Sequence, residues 1–176
     1  MDRSTRALVA AVPQTGRLTA ILLRPERRST PIRVDQAEVT AGLGLAGDHR
    51  TLERTPDLSA RRQVTLLQAE HLPVVAALTG HDEVDPALLR RNLVVSGINL
   101  ASLRDRRFCI GAVELEGTGW CHPCSRMEEA LGPGGFQAMR GHGGITARVV
   151  ASGTLHLGDP VRAVGDPPNR PDPDDD

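Results

Sequence analysis

Thr146-Ala147-Arg148-Val149-Val150-Ala151-Ser152-Gly153-Thr154-Leu155-His156-Leu157-Gly158-Asp159-Pro160-Val161-Arg162-Ala163-Val164 decides the fold class. Three short runs rich in β-branched and apolar residues are divided first by Ser152-Gly153 and then by Gly158-Asp159-Pro160. Such pairs turn the chain back on itself. The same pattern recurs upstream. Leu18 to Leu23 is an apolar run ended by Arg24-Pro25, and Ile32-Arg33-Val34 alternates as a half-buried strand does. Gln63 to Leu67, Leu93 to Val95, Phe108 to Ile110 and Ala112 to Glu116 add four more strands, the last two flanking Gly111 as a bulge or tight bend. Ala7 to Val12 reads as a further short strand. Helix signals are fewer. Gln68 to Leu78 has helical spacing, with Pro73 in its first turns and a stop at Thr79-Gly80. Pro86 to Arg91 fits one or two turns capped by Asp85. Ser125 to Leu131 reads as a short helix closed by Gly132. Many short strands, frequent glycine turns and few helices predict a mainly β chain, a barrel or sandwich with a few short helices.

A length of 176 residues suits one domain, expected over residues 1–165. Residues 166–176 carry five aspartates and four prolines and are expected to be a disordered acidic tail. No apolar run is long enough to span a bilayer, and the apolar N-terminal stretch is too short for a signal peptide. A cytoplasmic location is therefore expected, with the three cysteines reduced. All 21 basic residues are arginine. Without lysine the chain cannot form a pyridoxal-phosphate Schiff base or a Walker-type phosphate loop. A net charge of −1 and a 2% aromatic content give little support for nucleic-acid binding.

Chemistry concentrates in Gly119-Trp120-Cys121-His122-Pro123-Cys124-Ser125-Arg126. The thiolate is the reactive form of cysteine, and a helix start beside a cation favours it. Cys124 precedes the predicted helix, and Arg126 is the cation. The plain alternative is a pair of inert buried cysteines. Gly42-Leu43-Gly44-Leu45-Ala46-Gly47-Asp48-His49 lacks the helix that a dinucleotide fingerprint requires. Its Asp48-His49 pair can orient an imidazole. Arg91 and Asn92 stand at the entry to a strand, where a guanidinium fork and an amide suit an anion and a ring edge. Arg140, Gly141, His142 and Gly143 lie in a glycine-heavy loop whose N–H groups can form an anion nest. Cys121, His122, Cys124 and His142 can be counted as zinc ligands, but adjacent ligands and the missing second pair make that spacing poor. Arg54 to Arg62 reads as an exposed loop.

The ordered set resembles the MOSC domain, named after the C-terminal part of molybdenum-cofactor sulfurase. It comprises Gly44 to His49, Gln63 to Leu67, Arg91 to Leu100, Ile110 to Leu115, Pro123-Cys124, Gly144 to Val150 and Gly158 to Val161. The resemblance spans Gly42 to Val164 and is to the stand-alone bacterial form. It implies a β-barrel of the kind found in the small domain of pyruvate kinase. It also implies that Cys124 accepts sulfur as a persulfide or ligates molybdenum of the molybdenum cofactor. Arg91, Asn92, Arg126, Arg140, Asp48, His49 and the Gly141–Gly143 loop are then cofactor contacts. A pyridoxal-phosphate-dependent cysteine desulfurase or a molybdoenzyme is the implied partner, and the pyridoxal phosphate belongs to the desulfurase. A second reading is a thiol–disulfide oxidoreductase using Cys121-His122-Pro123-Cys124, because Trp120 to Cys124 resembles the thioredoxin active-site string. A third is a ligand-binding barrel with incidental cysteines.

Overall fold

The computed structural model describes residues 4–165; the acidic tail expected over 166–176 lies outside them. The strands are β1 (Gly16–Leu23), β2 (Ile32–Val34), β3 (Gln36–Thr40), β4 (Gly44–Leu45), β5 (Val64–Gln68), β6 (Leu93–Ser96), β7 (Arg107–Ile110), β8 (Val113–Trp120), β9 (Ile145–Ala151), β10 (Gly153–His156) and β11 (Pro160–Val164). The helices are α1 (Thr5–Ala10), α2 (His49–Leu52), α3 (His71–Thr79), α4 (Ser125–Leu131) and α5 (Gly135–Ala138), with 3₁₀ turns at Pro86–Leu89 and Leu100–Leu103.

Seven strands close a mixed barrel in the order β11-β7-β8-β9-β5-β6-β1. Closure runs through two residue pairs between β1 and β11, Gly16 with Val161 and Arg17 with Pro160. β5 and β6 are parallel, and their neighbours in the barrel run antiparallel. Parallel strands need a long crossover, and here it carries α3 and the Pro86–Leu89 turn. β2 lies outside the ring on β1, and β10, β3 and β4 form a small second sheet. Alternation along β8 sends Val113 and Leu115 inward, where they meet Leu18, Ile21, Leu66, Phe108 and Ile145 in the barrel core.

A second apolar cluster lies outside the barrel wall. Leu67, Val75, Leu89, Met127, Leu131 and Met139 bind α3, α4 and the end of α5 to the flank of β5. Burying each such side chain stabilises by about 1.5–3 kcal/mol. This cluster fixes the helix that comes after the cysteines.

Of the run Ala7 to Val12, residues Ala7 to Ala10 lie in helix α1, and none of the run forms a strand. Ser4 caps the helix, accepting from the Ala7 amide at 3.2 Å, and a satisfied first turn outweighs weak β preference. The helix predicted from Gln68 begins at His71, because Gln68 completes β5 and the Ala69 amide still bonds Val95 O. Pro86 to Arg91 tightens to a 3₁₀ turn capped by Asp85. β3, with Ala37 and Val39 alternately buried, was not apparent, nor was the short helix α5 inside the glycine-heavy stretch.

Candidate functional site

β8 delivers the chain to the cysteines. Its last residue, Trp120, is 40% exposed, and Cys121 beside it is buried, its amide donating to Gly144 O at 2.9 Å. Cys124 is exposed and stands at the N-cap of α4, with extended backbone. Its thiol makes no capping bond. Residues 121–124 contain neither turn nor bend. Both cysteines are free thiols, one buried and the other at the surface.

Arg91 is 4% exposed, and its donors are committed to the protein. Nε donates to Gly143 O at 2.9 Å, Nη1 to Leu89 O at 2.6 Å and Nη2 to Cys121 O at 2.9 Å. Longer contacts reach His122 O and Met127 Sδ. One guanidinium thus ties the cysteine segment to the glycine loop. Burial pushes Arg91 below its ordinary value, and the two cysteines oppose that shift.

Asn92 is committed in the same way. Its Oδ1 accepts from Thr65 Oγ1 and the Thr65 amide, and its Nδ2 donates to Asp48 Oδ2 at 3.1 Å. Asp48, also buried, accepts from the Arg24 amide and caps α2 through the Arg50 amide. His49 Nδ1 lies 3.3 Å from Asp48 Oδ1 but without hydrogen-bond alignment.

The exposed and half-buried cations around this frame are arginines that composition alone could not single out. Burial pushes Arg24 below its ordinary value; Asp48 opposes, and Arg90, Arg50 and Arg62 push it further. Burial also lowers Arg50, with Arg62 and Arg54 adding to it. Arg90 is lowered by burial and then by Arg126, while Cys124 favours its charged form. Arg62 Nη2 reaches Cys121 Sγ at 3.7 Å. Arg24 is 7% exposed, and its side chain has one acidic neighbour, Asp48, at 3.5 Å from Nε. All these guanidinium groups remain charged. Arg24, Arg50, Arg62 and Arg90 thus form one linked group around the buried Asp48, Arg50 and Arg62 on the side of Cys121, and Arg90 joins the group to Arg126, Glu129 and Cys124. Arg90 has φ +61°, left-handed for a residue with a side chain. That conformation costs about 1–2 kcal/mol, and such strain collects at functional sites.

The glycine loop divides into two parts. Gly143 packs where an added Cβ would sit 2.2 Å from Cys121 O, and Gly144 closes on Leu66 O. Both hold the cysteine segment. Arg140 is exposed and bonds Gln137, and His142 bonds Ala138 O and stacks edgewise on His71. These contacts lie on α5 and α3. Arg126 alone among the predicted arginines acts on the cluster through its free side chain. Arg90, Arg24, Arg50 and Arg62 were missed, because they lie far apart in sequence and no motif joins them to the cysteines.

A family model described as the MOSC domain matches residues 49–162. The chain belongs to the MOSC family. Among solved structures, the barrel is similar to the YuaD protein from Bacillus subtilis, with a TM-score of 0.72 at 20% identity over 87% of this chain and 98% of that one. YiiM from Escherichia coli gives 0.64 at 21% identity over 85% and 70%. YiiM from Geobacillus stearothermophilus gives 0.66 at 14% identity over 85% and 75%. No curated protein matches the chain. At these identities the structures establish the barrel, which in this MOSC chain includes β1, a strand outside the family match. Among the described residues no three His, Cys, Asp or Glu side chains are grouped to hold a metal ion. No helix of the described residues is long and apolar enough to cross a membrane.

Proposed function

We propose that this MOSC protein binds the molybdenum cofactor, an anionic phosphate-bearing pterin, with Cys124 as the metal's protein ligand. The observation that carries this is the arginine group near an exposed thiol: Arg24, Arg50 and Arg90 share one buried carboxylate, Asp48, with Arg62 beside them, and Arg90 links them to Arg126 and Cys124. Cations that outnumber the carboxylates near them, Asp48 and Glu129, suit an anionic guest. The donor chemistry fits, since the exposed Cys124 would offer the metal a thiolate and the arginines would take the phosphate. When bound, the cofactor supplies two-electron redox chemistry at the metal. The chain's own residues do the rest: the arginines hold phosphate, Arg91 and Asn92 hold the frame, and Trp120 flanks the cysteine segment.

A second reading makes Cys124 a sulfur acceptor. Its thiolate attacks the terminal sulfur of a donor persulfide, the S–S bond breaks, and the donor cysteine leaves as thiolate. The exposure of Cys124 supports this reading. A pyridoxal-phosphate-dependent desulfurase or a molybdoenzyme would be the partner, and pyridoxal chemistry must lie there because this chain has no lysine. The cluster carries more positive charge than one persulfide requires, which favours the cofactor. The burial of Cys121 beside an exposed Cys124 supports a role for Cys124 alone over a thiol–disulfide oxidoreductase.

Metal and pterin analysis of protein purified from a molybdenum-replete host tests the proposal. Wild type is expected to carry both, and Cys124→Ser to lose the molybdenum. A one-sulfur adduct on Cys124 without molybdenum would select the second reading. Equal molybdenum in wild type and Cys124→Ser would overturn the assignment of the ligand.

A further inference from the structure

Two histidines outside the arginine group meet at the root of the glycine loop. His71 opens α3, and its ring stands edge-on to His142 with centroids 5.1 Å apart and planes at 80°. His142 Nδ1 lies 2.8 Å from Ala138 O. A carbonyl only accepts, so Nδ1 carries the proton. His71 Nδ1 is buried without a hydrogen-bond partner.

The two glycines after His142 give the pair its reach. Gly143 O accepts from Arg91 Nε, and Gly144 O accepts from the Cys121 amide, both at 2.9 Å. Gly143 has no space between Cys121 O and the Arg91 guanidinium. A displacement of His142 therefore pulls directly on both anchors of the segment that ends in Cys124.

We infer that the His71–His142 pair is a proton-sensitive positioning element, which holds the cysteine segment through loop 139–144 when neutral and loosens it when protonated. The inference is independent of the ligand that Cys124 takes. Two adjacent imidazolium rings repel, so a charge on His71 opposes its contact with a charged His142. Burial pushes His71 below its ordinary value, His142 pushes it further, and Glu70 and the His142 carbonyl oppose. Of the elements packed on α3, β5 and α5 bring no titratable side chain, and α4 brings Arg126, Glu128 and Glu129. The unfolded chain thus binds this proton more tightly than the folded one. The held state is complete above the unfolded pKa, about 6.5, and weakens as pH falls from there through the lower folded value.

Trp120, the single tryptophan, adjoins Cys121 and reports on the segment. The experiment follows Trp120 emission and the labelling of Cys121 by a disulfide reagent between pH 7.5 and 5.5. It uses a His122→Gln background, which removes the imidazole beside the reporter. In a Cys124→Ser form, which leaves Cys121 as the thiol at the segment, the parent is expected to show an emission transition and, at the acid end, about tenfold faster Cys121 labelling than His71→Phe at the same pH, a comparison in which the shared loss of thiolate cancels. Far-UV circular dichroism should stay constant. His71→Phe keeps the ring stack and removes the proton site; His142→Gln keeps a donor for Ala138 O. Either folded variant should lose the transition, and the second serves if the first fails to fold. No transition in the parent, one that persists in the folded variants, or one that coincides with global unfolding would overturn the inference.

Discussion

Arg90 and Arg91 are neighbours with opposite fates. Arg91 turns inward and spends its fork on the carbonyls of Leu89, Cys121 and Gly143. Arg90 caps the preceding 3₁₀ turn in a left-handed conformation and stays at the rim with Arg126 and Cys124. Sequence patterning identifies the pair as a strand entry but cannot say which arginine is swallowed, because that depends on the register of β6 against β5. Arg90→Gly separates strain from function. Glycine relieves about 1 kcal/mol of backbone strain and costs about 0.5–1 kcal/mol through its looser unfolded state. Chemical denaturation should therefore place the variant within about 0.5 kcal/mol of wild type, while its affinity for anions drops. A loss of several kcal/mol would mean that the side chain is a structural prop.

At the scale of elements, the site hangs on short pieces pinned by single side chains. α2 has four residues and exists through its cap, Asp48, which also engages Asn92 and Arg24. Asp48→Ala removes a cap worth about 1 kcal/mol and strands buried donors at about 1–3 kcal/mol each. Thermal and urea unfolding should show a loss of about 3 kcal/mol or more. A loss below about 1 kcal/mol, no more than the cap alone, would show that the carboxylate is not the organiser described. The strands that bound the site were legible as alternating or apolar runs, and α4 was legible from Cys124 to Gly132. The start of α3 was not, since Gln68 to His71 has helical spacing while the β5–β6 pairing claims Gln68. Tertiary hydrogen bonds decided that boundary.

For the whole molecule, closure of the barrel depends on residues that precede the family match. β1 pairs with β6 along one edge and reaches β11 through two residue pairs. Gly16 sits where an added Cβ would meet Ile98 and Ser96 O within 2.7 Å. A fragment of residues 49–162 would leave β6 and β11 as open edges. It is expected to show no cooperative unfolding transition, whereas residues 4–165 should unfold cooperatively; a cooperative transition in the fragment would contradict the role given to β1. A barrel could be foreseen from many short strands broken by glycine turns. The arginine group could not, because its members come from the end of β1, from α2, from the loop before β5, from the turn before β6 and from the first turn of α4. Only the folded ring brings these ends together.

An anion held by those arginines beside Cys124 is the common requirement of both readings of the site. Calorimetric titration with inorganic pyrophosphate at low salt, on wild type, Arg24→Gln and Arg140→Gln, measures this directly. Wild type and Arg140→Gln should bind alike, and Arg24→Gln should bind about tenfold or more weakly, in line with the loss of a charge-assisted contact worth roughly 1.5–3 kcal/mol. Absence of binding in wild type, or equal affinity in wild type and Arg24→Gln, would contradict it.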